Sequence, residues 1–183
     1  YVLKHTPGNT VSNLSSSRAL KDVTEAYGQQ YHAAAVGEVN VVAEMKRTHS
    51  VIGGEGNGGV IYPESHYGRD ALVGVGLFLS HYVAQSKKMT ELKSTYPQYF
   101  ISKNKMTLSP DMDVDKILEG LKERYATEKV TDIDGVKIDF AQGWVHLRKS
   151  NTEPIIRIYS EAKDEAAANQ LAEEVIAAAK STL

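Results

Sequence analysis

The sequence contains no cysteine. That excludes disulfide stapling and thiolate metal centres and fits a reducing cytoplasm. It has no apolar run long enough to span a bilayer, so no membrane-embedded role is expected. It also lacks an excess of positive charge. With 21 Lys and Arg against 23 Asp and Glu, the formal net charge is -2, which gives no basic footprint for nucleic acid or an anionic membrane surface. The start, Tyr1-Val2-Leu3-Lys4, has neither an initiating Met nor a signal-peptide layout and reads as a cut through a longer protein. The six histidines show no ligand spacing; His49, His66 and His146 are expected as surface or core residues. What is there is ordinary globular material. The 183 residues, 42% hydrophobic and 24% charged, suffice for one large domain or two small ones.

Along the chain, short strands are expected at residues 10–14, 32–36, 50–52 and 60–62. They alternate with helices whose apolar residues are Leu20, Val23 and Tyr27, then Val39, Val42 and Met45. A third helix over residues 70–84 is apolar almost all round and is expected to be well buried. Such alternation implies an α/β fold: a three-layer α/β/α domain with a mainly parallel mixed sheet. Residues 93–109 hold no clear period, and the domain boundary is placed there, giving domains at 1–95 and 96–183. After it, Ser109-Pro110 predicts a helix start with Val114, Ile117, Leu118, Leu121 and Tyr125 inward. Three strands follow, near residues 135–140, 143–148 and 155–160, and then a helix over 164–180. The second domain is therefore expected to be a small α+β unit, an antiparallel sheet flanked by helices.

Two stretches carry chemistry. The first is Arg148-Lys149-Ser150-Asn151-Thr152-Glu153-Pro154. In an extended segment residues two apart share a face, so Arg148, Ser150 and Thr152 can present a guanidinium fork and two hydroxyls together. Asn151 tolerates the backbone of a tight turn that aims N–H groups at an anion. This combination suits a phosphate dianion; the alternative is an ordinary hairpin with an exposed Arg. The second stretch is Gly53-Gly54-Glu55-Gly56-Asn57-Gly58-Gly59. Its glycines let the backbone approach a ligand, and Glu55 can accept from two neighbouring hydroxyls while Asn57 donates and accepts. A flexible linker is the alternative. It is not a Walker loop, since no Gly-Lys-Ser/Thr follows, nor a dinucleotide fingerprint, since a strand follows it. Thr131-Asp132-Ile133-Asp134-Gly135 resembles a fragment of a metal loop, but an Asp-Gly turn explains it.

Together the two loops resemble those of the α-D-phosphohexomutase family, whose members have four domains. The chain looks like the third and fourth, and the resemblance covers nearly all of it. Glu55 matches the glutamate of the family's sugar-binding loop, Gly-Glu-x-Ser-Gly-His, while Asn57 replaces its Ser and Gly59 its His. Arg148, Ser150, Asn151 and Thr152 match the phosphate loop, and Arg157 falls on the family's following arginine. Arg18 and Gly37 resemble other cleft-facing positions, and Arg69-Asp70 the family's helix entry. The resemblance implies hexose phosphates as substrates and interconversion of 1- and 6-phosphates through a bisphosphorylated sugar. It also implies a phosphoserine and a magnesium ion in the N-terminal domains, outside this chain. No catalytic residue or metal ligand is expected here. The chain's part would be recognition, and the alternative is a stand-alone sugar-phosphate binding module without catalysis.

Overall fold

The computed structural model describes residues 1–109, 112–150 and 152–182. The chain divides into two compact units, Tyr1–Gln98 and Tyr99–Leu183.

Unit 1 opens with a short helix α1 (Val2–His5). There follow β1 (Thr10–Asn13), α2 (Ala19–Ala26), β2 (Tyr31–Ala34), α3 (Glu38–Thr48), β3 (Ile52–Glu55), β4 (Gly59–Tyr62), β5 (His66–Arg69), α4 (Ala71–Gln85) and α5 (Met89–Ser94). The strands form one mixed sheet in the order β2-β1-β3-β4-β5. β1 runs parallel to β2 and β3, and β3, β4 and β5 are antiparallel neighbours. The core is small: Val11, Ala34, Val41, Met45 and Ile61, with Val42 packed against it.

Three expectations for unit 1 are corrected. In α3 the inward residues are Val41, Met45 and Thr48, one helical face, and Val39 is 80% exposed. In α2 the buried residue is Thr24, whose hydroxyl meets that of Thr10 at 2.7 Å; Tyr27 lies outside. The largest departure is α4. Asp70 caps it by accepting from the Val73 N–H at 2.9 Å, yet none of its residues is buried. Its all-round apolarity had pointed to an interior position, but only one side meets the sheet.

Unit 2 comprises β6 (Phe100–Thr107), α6 (Val114–Arg124), β7 (Lys129–Thr131), β8 (Val136–Asp139), β9 (Gly143–Lys149), β10 (Ile155–Ala162) and α7 (Glu165–Lys180). Its sheet is antiparallel in the order β6-β10-β9-β8-β7. Strand β6 was not legible because Ser102 and Asn104 stand at inward positions of its alternation. Helix α6 begins later than expected: Asp113, not Ser109, is its cap, accepting from the N–H groups of Asp115 and Lys116 at 3.0 and 3.2 Å. Pro110 lies outside the described residues. One sheet face carries Val145, Leu147, Ile156 and Ile158 into a core shared with Ile117 and Leu121 of α6 and Leu171, Val175 and Ala179 of α7. The alternation that buries these residues turns Arg148 and Arg157 to the opposite face.

Candidate functional site

The parallel strands of unit 1 end on one edge of the sheet. From β1 the chain crosses to β2 on one side and then returns to β3 on the other, so strand order reverses beside β1. In open α/β sheets that reversal opens a crevice at the carboxyl ends of the strands. Asn13 ends β1, Gly37 follows β2, and Glu55 ends β3. Glu55 Oε1 accepts from Asn13 Nδ2 at 2.9 Å and from the Gly37 N–H at 3.1 Å. Among the described residues its Oε2 receives a long contact, 3.4 Å, from Arg69 Nη1. Arg69 is itself anchored, with its Nε 2.8 Å from Glu38 Oε2 and its backbone N–H 3.1 Å from Glu38 Oε1. The Arg69 backbone N–H and then its guanidinium hold the Glu38 carboxyl below the usual carboxylate range. Asn13 Oδ1 accepts from Ser16 Oγ at 2.8 Å, and Ser16 Oγ accepts from the Gly56 N–H at 2.8 Å, tying the strand end to the glycine loop.

The glycines do structural work before the loop begins. Gly53 and Gly54 belong to β3, and the turn proper is Gly56-Asn57-Gly58. A Cβ on Gly53 would stand 2.5 Å from Met45 Sδ and 2.8 Å from the Val11 carbonyl, so only glycine lets α3 pack this close. Asn57 sits exposed at the tip, with its Oδ1 turned back to accept from the Gly59 N–H at 3.1 Å. Arg18 occupies the N-cap position of α2, half-buried. A concavity of about 310 Å³ beside the loop is lined by Ser16, Ser17, Glu55, Gly56 and Gly58, among others. A carboxylate fixed through one oxygen, with the other lightly held, can accept from a ligand hydroxyl.

In unit 2 the segment after β9 turns back into β10, closed by the Ser150 N–H donating to the Ile155 carbonyl at 3.0 Å. The Ser150 and Thr152 hydroxyls come within 3.5 Å of each other, and the Thr152 N–H points to Ser150 Oγ at 3.4 Å. Asn151 lies outside the described residues. Arg148 and Arg157 are direct cross-strand partners. Opposite residues on one face hold their Cβ atoms about 4.5–5.5 Å apart, and like charges so placed destabilise a sheet. Glu153 relieves one of them, its Oε2 lying 2.8 Å from Arg157 Nη2. Arg148 Nε is buried and has no hydrogen-bond partner among the described residues. Arg148 is also braced from behind. Gly135, at φ 67°, lies so close to the Leu147 carbonyl and the Arg148 Cα that a side chain there would collide with both. Two guanidinium groups and two hydroxyls gathered at one hairpin are groups that can bond an anion.

The structure thus brings Gly37 onto Glu55 and gathers Arg148, Ser150, Thr152 and Arg157 at one hairpin, while Asn57 stands at a turn tip and Arg18 at a helix entry. Sequence reasoning missed Asn13, Glu38 and the reach of Arg69 to Glu55. Their only signal was position: Asn13 and Arg69 end strands, and Glu38 opens α3. It also missed Lys105, the partner of Arg157 on its other side, which places a third cation on the same rung. Among the described residues no three His, Asp or Glu side chains stand together as metal ligands. Asp132 pairs with Lys122 of α6 at 3.1 Å, and the Asp134 carbonyl bonds His146 Nε2 at 2.7 Å.

Residues 1–99 match the family model described as phosphoglucomutase/phosphomannomutase, alpha/beta/alpha domain III, and residues 103–178 match the one described as the C-terminal domain. A phosphoglucosamine/phosphogalactosamine mutase of Sulfurisphaera tokodaii is 36% identical over 90% of this chain and 37% of its own length. A phosphoglucomutase/phosphomannomutase of Thermococcus kodakarensis is 36% identical over 91% of this chain and 36% of its own length. The chain therefore spans little more than a third of these relatives. Among solved structures, a phosphoglucomutase/phosphomannomutase family protein of Burkholderia thailandensis shares the fold with a TM-score of 0.80. It is 23% identical, and the match covers 99% of this chain and 39% of that one.

Proposed function

The chain belongs to the phosphoglucomutase/phosphomannomutase family, and from that premise we propose that it is the substrate-recognition part of a mutase that interconverts hexose 1-phosphates and hexose 6-phosphates. Arg148, Ser150, Asn151, Thr152 and Arg157 hold the phosphate that is not being transferred, and Glu55 and Asn57 accept and donate to sugar hydroxyls. Binding energy drawn from the unreacting phosphate then positions the reacting oxygen, which is how remote contacts raise a rate. The relatives' names cover both amino and neutral hexoses, so the substrate class proposed is hexose phosphates in general. The phosphoserine and the magnesium ion of the mutase reaction would come from the remainder of such a protein, which makes the chain by itself a binder without turnover.

The observation that carries the reading is the rung of unit 2 on which Arg148 faces Arg157. A dianion between them converts a repulsion into two charge-assisted contacts. Calorimetry on the 183-residue chain tests it. Arg148→Ala is expected to weaken glucose 6-phosphate binding strongly and leave free glucose as it was. Equal losses for both ligands would remove the phosphate assignment.

A further inference from the structure

Arg69 ends β5, yet its side chain lies across the sheet instead of running out into solvent. Ile61 of β4 is its direct partner, and Gly59, two residues earlier on β4, faces Glu55 of β3. Arg69 therefore stands diagonal to the rung of Glu55 and Gly59, on the same face of the sheet. That rung is bare at Gly59, and the arginine stem fills the space. A Cβ on Gly59 would sit 2.5 Å from Arg69 Cδ and 3.1 Å from its Cγ. Across this gap Arg69 Nη1 comes within 3.4 Å of Glu55 Oε2, while Nε is held 2.8 Å from Glu38 Oε2. The Arg69 side chain remains 46% exposed. Among the described residues Glu38 and Glu55 are the acceptors it meets, which leaves guanidinium N–H groups over for a ligand.

We infer that Arg69 is a substrate-binding residue, the donor that acts beside Glu55 on one sugar hydroxyl. The inference rests on the reading of Glu55 as a hydroxyl acceptor and extends it. A hydroxyl donates one proton and offers two lone pairs. A carboxylate takes the proton and can do nothing for the lone pairs, whereas a guanidinium carries donors only. Side by side, Glu55 and Arg69 satisfy both halves of the group. At 3.4 Å their mutual contact lies beyond the ordinary hydrogen-bond range of about 2.7–3.2 Å, so a hydroxyl that takes Oε2 and an Arg69 N–H displaces little. The guanidinium is also in place beforehand, since Glu38 bonds both the Arg69 backbone N–H at 3.1 Å and Nε at 2.8 Å. A donor already held in its bound position costs less to order when the ligand arrives. The same geometry accounts for Gly59, which stands where the loop it resembles carries His: a side chain there would push the arginine stem away from Glu55. The group recognised is a neutral hydroxyl, because a protonated amine has no lone pair for Arg69 and would face its charge.

Calorimetry on the 183-residue chain with glucose 6-phosphate and its 2-, 3- and 4-deoxy analogues tests this as a cycle between residue and hydroxyl. Arg69→Met is expected to weaken glucose 6-phosphate about tenfold. The penalty for removing one hydroxyl should shrink by a similar factor in that variant, and the penalties at the other two carbons should stay as they are. Gly59→Ala keeps Arg69 but displaces its stem, and it should shrink the same penalty; it carries the test if Arg69→Met is unfolded by circular dichroism. Arg69→Met that binds glucose 6-phosphate like the unsubstituted chain overturns the inference. So does a loss by one common factor for all four sugars, which is what a clamp acting on the fold alone would give. Glu55→Gln separates the inference from the reading beneath it. If Glu55→Gln shrinks one penalty and Arg69→Met shrinks none, Glu55 stays as the acceptor and Arg69 alone is removed. If Glu55→Gln leaves every penalty unchanged, both are removed.

Discussion

The two units treat their functional side chains in opposite ways. In unit 1 the central carboxylate is nearly satisfied before any ligand arrives: the Glu55 side chain is 5% exposed and meets Asn13, Gly37 and Arg69. In unit 2 the central arginines are left in tension, facing each other across a ladder with Arg148 Nε unpartnered among the described residues. Their packing differs as well. Helices α6 and α7 bury regular apolar faces in one shared core, whereas the most apolar helix of unit 1 buries no residue. Unit 1 therefore holds an internally bonded carboxylate and an exposed apolar helix. Unit 2 has a regular core and two arginines that face each other, where the proposed anion would make charge-assisted contacts.

Acid should separate the units most strongly. Burial pushes His146 of unit 2 down to about 4. Its folded value lies below the unfolded value of about 6.5, so protons bind the unfolded chain preferentially and stability falls as pH drops. The contribution is whole above about 6.5 and is lost between there and about 4, roughly 3 kcal/mol in all. Hydrogen exchange across that window should show unit 2 loosening before unit 1, and His146→Gln should flatten the difference. Parallel loss of protection in both units would break the comparison.

Next in size, Glu55→Ala should destabilise unit 1 by about 2 kcal/mol, because two part-buried donors lose a charged acceptor. Thermal melts should shift while unit 2 amides keep their protection. Arg148→Ala should do the reverse: stability held or slightly raised by relief of the like-charge pair, and glucose 6-phosphate affinity reduced by about 2 kcal/mol, roughly 30-fold. Arg157→Ala should have the smallest effect, about 1 kcal/mol or roughly fivefold in the same titration, since Glu153 already shares its guanidinium at a half-exposed position. A larger loss from Arg157→Ala than from Arg148→Ala would reverse the assignment of roles.

How much of this was legible in the sequence follows from where each residue's partners lie. Ser150, Thr152 and Arg148 could be read together because a hairpin brings together residues close in sequence, and the α6 face could be read from its period alone. Glu55 stood out among glycines. Its partners Asn13 and Arg69 did not, because a parallel sheet joins distant segments and leaves no local spacing to detect. Strand β6 hid because polar Ser102 and Asn104 occupy inward positions. The exposure of α4 was misread for another reason. All-round apolarity carries no period, so it does not say which side of the helix meets the sheet.

The account's central claim, that phosphate is held between Arg148 and Arg157, is tested most directly by the guanidinium Nε–H signals in nitrogen-edited NMR of the 183-residue chain. Titration with glucose 6-phosphate should move the signals of Arg148 and Arg157 and leave those of Arg47 and Arg124 in place, with no response to free glucose. Signals of Arg148 and Arg157 that stay fixed at saturating glucose 6-phosphate, or that move equally with glucose, would contradict it.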